Sequence, residues 1–283
     1  MAYSTAVRMS AAGKMGAAIG VAALAAHGGP AATWLPGLRR AWFLALAGIG
    51  RLDHVALTFD DGPDPVSTPR FLDALEVLGV LATFFVLGRH VRRHPRLARQ
   101  IAGRGHELAV HGWAHDRPWP PAPRRDIRDL SRAAEAVYDT TGQIPQWYRP
   151  PYGILTGGRL AAATRCGLRP VLWSAWGRDW MAGATAASVL ATVRRDLHGG
   201  GTVLLHDTDR TAAPGCWRSA LEALPGLVNG CRDADWTVGR LAEHGRSHSH
   251  PGPFGTKDLR PERTGHLAAA TAGRLSTEGA DER

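Results

Sequence analysis

Cysteine is scarce: three in 283 residues, an odd number that excludes a disulfide-stapled scaffold. Cys166, Cys216 and Cys231 show neither Cys-x-x-Cys nor Cys/His spacing, so they read as ordinary thiols. Lysine is nearly absent. Only Lys14 and Lys257 occur, so 32 of the 34 basic residues are arginine. Residues 1–48 hold four basic residues and no acidic one. No uninterrupted run of 18 apolar residues marks a membrane-spanning helix. There is no Lys/Arg run and no array of stacking aromatics, so the net charge of +9 does not specify a nucleic-acid partner. A cationic surface favours anionic partners in general, and an arginine-rich composition accounts for it equally well.

What is present is 44% hydrophobic residues over a length that supports one large domain with a real core. Residues 1–34 are Ala/Gly-rich. Arg8 and Lys14 precede a soft apolar run, and Ala23-Leu24-Ala25 has the form of a leader-cleavage site. A secretory signal or loose anchor and a disordered lead-in are both open readings, and residues 35–48 allow a short helix. If the start is a signal, the protein is exported to the wall; otherwise it is cytoplasmic. Any membrane association runs through this segment alone. From residue 245 onward Ser, His, Pro, Gly and Arg dominate, which predicts a disordered tail.

Between them strands alternate with helices. Strands are expected at 54–60, 81–86, 107–110, 147–149, 170–174, 202–206 and 235–238. Helices are expected at 67–78, 95–104, 126–141, 156–166, 187–197 and 217–228. Gly79 and Gly142 follow two of these helices as stops. Six or seven βα units in one domain, 49–244, imply a parallel α/β sheet, either a barrel or a doubly wound sheet.

The unusual polar residues fall just after these strands, the edge at which βα barrels carry chemistry. Asp60 and Asp61 are adjacent carboxylates. They either share a cation or divide into different roles, unless Asp60-Asp61-Gly62-Pro63 is only a solvated turn. His111 and His115 stand four apart, a metal-ligand spacing. With one carboxylate from another strand they make a two-His-one-Asp set with open positions, suited to Zn²⁺, Co²⁺, Ni²⁺ or Fe²⁺. Arg149 opens Arg-Pro-Pro-Tyr-Gly, where it can hold a buried carboxylate by a fork of hydrogen bonds. His206 ends the strand Val203-Leu204-Leu205, as a core histidine or a titrating one. Asp207 reads as a helix or turn cap. Asp179-Trp180, after Trp173 and Trp176, forms a further polar-aromatic cluster.

In this order these clusters resemble the five motifs of the NodB-type polysaccharide deacetylases, carbohydrate esterase family 4, over residues 53–244. The resemblance implies a distorted (β/α)₇ barrel. It also implies a metal-dependent hydrolase that removes N-acetyl groups from N-acetylglucosamine-type glycans, peptidoglycan or chitin-like, with Zn²⁺ as the leading metal. In that pattern Asp60 is the general base, and Asp61, His111 and His115 bind the metal. Arg149 keeps Asp60 ionised, and the Tyr152 amide helps hold the oxyanion. Asp179 tunes His206, the general acid, and Trp180 and Leu204 wall a pocket for the acetyl methyl. One residue departs: Gly112 stands where the family often has Ser or Thr, whose hydroxyl braces the loop. The same chemistry serves O-acetyl polysaccharides and lipid-linked formamido sugars. A carbohydrate-binding pseudoenzyme is the non-catalytic alternative. A monomer acting on an N-acetylated glycan, with no nucleic-acid partner, is the expected assembly.

Overall fold

His54–Asp60 (β1) is buried at every position, as a strand must be when it is central to a parallel sheet. The computed structural model describes residues 11–117 and 119–245. Seven further strands join β1: Thr83–Leu87 (β2), Glu107–Gly112 (β3), Trp147–Tyr148 (β4), Arg169–Pro170 (β5), Ala175–Trp176 (β6), Thr202–His206 (β7) and Thr237–Gly239 (β8). Their order is β5-β4-β3-β2-β1-β7-β6, and every pairing is parallel. β2 pairs with β1 at Thr58, Phe59 and Asp60, while β8 pairs with its first half, His54 to Ala56. This is the distorted parallel barrel the motifs imply.

The helices are Ala11–Gly28 (α1), Pro36–Trp42 (α2), Thr68–Leu78 (α3), Gly88–Arg93 (α4), Pro95–Gly103 (α5), Pro123–Thr141 (α6), Gly157–Arg165 (α7), Ala186–Asp196 (α8) and Trp217–Asp233 (α9). Local chemistry sets their ends. Pro69 and Pro95 sit in first turns, where a missing N–H costs nothing. Gly79 and Gly142 take the left-handed conformation at C-caps. Thr185 and Ser188 form a reciprocal capping box on α8. Phe71, Leu72 and Leu75 of α3 and Ala220, Leu224 and Val228 of α9 enter one core with Phe59 and Phe84.

Two expectations change. The apolar run at 170–174 is not a strand. β5 ends at Pro170, β6 begins at Ala175, and the chain between them crosses the one seam at which the sheet does not close. Its backbone groups are met by other partners. Leu172 N–H donates to the Leu46 carbonyl at 2.7 Å, and Arg149 Nη2 and Arg39 Nη2 donate to the Leu172 and Trp173 carbonyls at 2.7 and 2.8 Å. α4 has no expected counterpart, because six residues are too few to show a helical apolar period. The start of the chain is helical from Ala11. The expected tail lies outside the described residues except for Gly245. All three cysteines are free thiols.

Candidate active site

The polar motif residues meet at the C-terminal edge of the sheet. Asp60 closes β1 in register with His206, which closes β7. His111 lies in β3, Arg149 follows β4 and Asp179 follows β6. Arg149 is fully buried, with its guanidinium 4.0 Å above the Phe85 ring. Its Nη1 donates to Asp60 Oδ1 and Thr58 Oγ1, both at 2.8 Å. The expected fork on the carboxylate is therefore split: one nitrogen serves Asp60 and Thr58, the other the seam at Leu172.

Asp61 is 1% exposed and has φ +77°, a left-handed backbone unusual for a residue with a side chain. Its Oδ1 lies 3.2 Å from His111 Nε2 and 3.6 Å from His115 Nε2. Neither contact is aligned as a hydrogen bond, so Oδ1 is buried without a partner. Its Oδ2 accepts a hydrogen bond from the Thr211 hydroxyl. Burial would raise the Asp61 carboxyl, but His111, His206 and His115 together outweigh it and hold it well below the ordinary range. Burial lowers His115 to about 4, against the pull of Asp61, so its imidazole is neutral at physiological pH and free to ligate. Single donor atoms of Asp61, His111 and His115 all fall within 4.8 Å of one another. An anionic oxygen left unpaired between two imidazole nitrogens is the donor set a divalent cation satisfies, and these three residues fit one.

His206 is fixed twice by Asp179. Its N–H donates to Oδ2 at 2.6 Å, and its Nδ1 lies 3.1 Å from Oδ1. Burial opposes protonation, but the carboxylates of Asp179, then Asp61 and Asp60, together outweigh it and raise His206 to about 9. The Trp180 ring meets His206 edge-on, with centroids 5.4 Å apart, and Trp176 and Trp173 continue the aromatic row. Leu204 is buried beside Leu172 and Trp173. Tyr152 has φ +61°, is half exposed, and packs its ring on His115 with centroids 4.3 Å apart.

Two glycines are required by this geometry. A Cβ on Gly62 would lie 2.5 Å from Asp207 Oδ2. Gly112 has φ +115°, so a Ser or Thr here would need a different backbone. The loop is braced otherwise: Arg89 N–H donates to the Trp113 carbonyl, Arg132 stacks 3.5 Å over the Trp113 ring, and Arg159 Nη2 donates to the Asp116 carbonyl. Asp207 is not a cap. It is completely buried, accepts from the Thr68 hydroxyl, and burial pushes it up to about 7. Sequence reasoning missed Thr58, Thr68 and Thr211, which bond to Arg149, Asp207 and Asp61, and also His90, whose Nδ1 meets the Asp61 carbonyl at 3.1 Å. A lone hydroxyl carries no pattern, whether inside a strand as at Thr58, at a helix start as at Thr68 or in a loop as at Thr211.

The polysaccharide deacetylase family model matches residues 49–171. A chitooligosaccharide deacetylase of Bradyrhizobium sp. (strain ANU 289) is 40% identical over 159 residues, 54% of this chain and 70% of that protein. A peptidoglycan N-acetylglucosamine deacetylase of Listeria monocytogenes is 36% identical over 56% of this chain, which spans only 34% of that longer protein. Among solved structures, the Bc1960 peptidoglycan N-acetylglucosamine deacetylase superposes with a TM-score of 0.66 at 27% identity, covering 76% of this chain and 98% of that one. BA3943, described as a carbohydrate esterase family 4 pseudoenzyme from Bacillus anthracis, superposes at 0.61 with 25% identity over 68% of this chain and 65% of that one. With the ordered motifs gathered at one sheet edge, these similarities establish that the chain belongs to the polysaccharide deacetylase family.

Proposed function

We propose that this chain hydrolyses the N-acetyl group of N-acetylglucosamine-type sugars in a peptidoglycan or chitin-like glycan, releasing acetate and a free amine. The observation that carries this reading is the pairing of two opposed groups at neighbouring strand ends. Asp60 is tied to a cation, and His206 is held protonated by Asp179. Both lie beside a three-residue metal cradle. Asp61, His111 and His115 would hold a divalent ion, Zn²⁺ first among candidates, which when bound lowers the pKa of water and polarises a carbonyl.

The chain's own groups perform the proton work. Asp60 accepts the proton as water adds to the acyl carbon; Arg149 fixes that carboxylate with a hydrogen bond of 2.8 Å. The Tyr152 amide, turned by its left-handed backbone, is the donor assigned to the developing oxyanion. His206 gives its proton to the amine as the C–N bond breaks, because an unprotonated amine leaves badly. Trp180 and Leu204 enclose the acetyl methyl. Asp60→Asn keeps metal but loses roughly 10²–10⁴-fold in acetate release from N-acetylglucosamine oligomers and peptidoglycan. His111→Ala loses the metal. Near-normal turnover by Asp60→Asn rejects the base assignment, and unchanged metal content in His111→Ala rejects the ligand set.

A further inference from the structure

Between Lys14 and His27, α1 is apolar on every side. At about 100° per residue, Leu24 lies opposite Met15, and Ile19 and Val21 fall between them. All four side chains are at least 64% exposed. Gly16 and Gly20 interrupt the apolar run in sequence, yet once folded they leave residues 15–26 no polar face, with Lys14 and His27 at the two ends. A helix without a polar face belongs in a protein core or in lipid. The rest of the molecule does not cover this one, and Lys14–Trp34 is long and apolar enough to cross a bilayer. The next segment continues the surface: Trp34, Leu35, Leu38 and Trp42 are exposed, with tryptophans of the kind that settle at headgroup level. Residues 1–52 carry five basic residues and no acidic one, which complements anionic lipid. This surface is firmly joined to the catalytic body. Buried Arg39 donates to the carbonyls of Thr33, Trp34 and Trp173, and His27 Nε2 donates to the Trp119 carbonyl.

We infer that α1 and α2 form a docking surface for an anionic lipid bilayer, with α1 inserted and Trp34 and Trp42 at the headgroups. The test is flotation of the full-length chain with phosphatidylglycerol/phosphatidylcholine vesicles. The chain is expected to float and to stay bound in 1 M NaCl, with its tryptophan emission quenched by brominated lipid. Ile19→Asp/Leu24→Asp lowers partitioning by on the order of a hundredfold per substitution, with circular dichroism and turnover of soluble acetylated oligomers unchanged. Three results overturn the inference. One is a chain that stays in the dense fraction or covers the face by self-association. Another is binding that salt abolishes and the double variant retains. The third is a native protein whose N-terminus is Ala26.

A separate observation concerns the metal cradle and rests on the reading of Asp61 as a ligand. The segment 207–216 after β7 is tied to both walls of the site: Arg210 Nε pairs with Asp64 at 2.7 Å, and Ala213 N–H donates to the Trp180 carbonyl at 3.2 Å. This holds Thr211 where its hydroxyl occupies Asp61 Oδ2, leaving Oδ1 alone to face His111 and His115. The geometry points to Thr211 as a positioning residue that makes Asp61 a one-oxygen ligand. Removing such a partner costs about 10–100-fold in metal affinity. Competition with a chromophoric chelator should show that loss for Zn²⁺ and Co²⁺ in Thr211→Ala and Thr211→Val, with an altered Co²⁺ visible spectrum. Thr211→Ser should stay within about threefold of the parent. Parent-like affinity in the Ala and Val variants, or no rescue by Ser, overturns this role. Loss of turnover in Asp60→Asn with intact metal affinity tests the parent reading separately.

Discussion

Asp179 binds both the backbone and the ring of His206, so a single substitution tests orientation and protonation together. His206 is raised to about 9 against an ordinary value of 6.5. Its ion pair therefore stabilises the fold fully below about pH 6.5, and that contribution is lost as pH rises through about 9. As the proposed general acid, the same group would set the alkaline limb of the pH–rate profile, since only the protonated ring can release a proton. Asp179→Asn should move that limb toward 6.5, read from kcat across pH 5–10; an unmoved limb removes His206 from the acid role. Gly62→Ala drives a methyl group into the Asp207 carboxylate and should cost about 1–3 kcal/mol in chemical denaturation. Asp60, Asp61, His111, His115, Arg149, Asp179 and His206 were legible because each lies at or just after the end of a strand in an ordered motif. Thr211 was not: its partner Asp61 is 150 residues away, and nothing local separates its hydroxyl from turn chemistry.

At the scale of elements, helix ends were readable where a residue has backbone consequences, as at Pro69, Pro95, Gly79 and Gly142. The seam was not. Val171-Leu172-Trp173 has the composition of a buried strand and is buried, but it crosses the gap between β5 and β6. A pattern of apolar residues reports burial; it does not report which neighbours supply the hydrogen bonds. Here they come partly from Arg149 and partly from Arg39, which stands before the family-matched region. Arg39 is 1% exposed, and burial, with Arg40 and Arg149 nearby, lowers it to about 10. It stays charged, and three carbonyls depend on it. Arg39→Ala should lose at least about 1.5–3 kcal/mol of stability, measured as a lower denaturant midpoint at unchanged slope. An unchanged midpoint would show that the seam closes without the segment before residue 49.

Across the whole molecule, the charge divides by region. The first 52 residues are purely cationic and apolar, while the catalytic body balances its arginines with acids and concentrates its buried carboxylates at one sheet edge. That arrangement supports the proposals of metal-assisted chemistry on a glycan in the body and of a lead segment that faces lipid. The most direct test of the central claim is acetate release from N-acetylglucosamine oligomers by chelator-stripped protein, titrated with Zn²⁺ or Co²⁺. The account predicts no release from stripped protein and release that rises with metal to one equivalent. One equivalent of bound metal with no acetate from any N-acetylated glycan would contradict it and leave a protein that binds without hydrolysing.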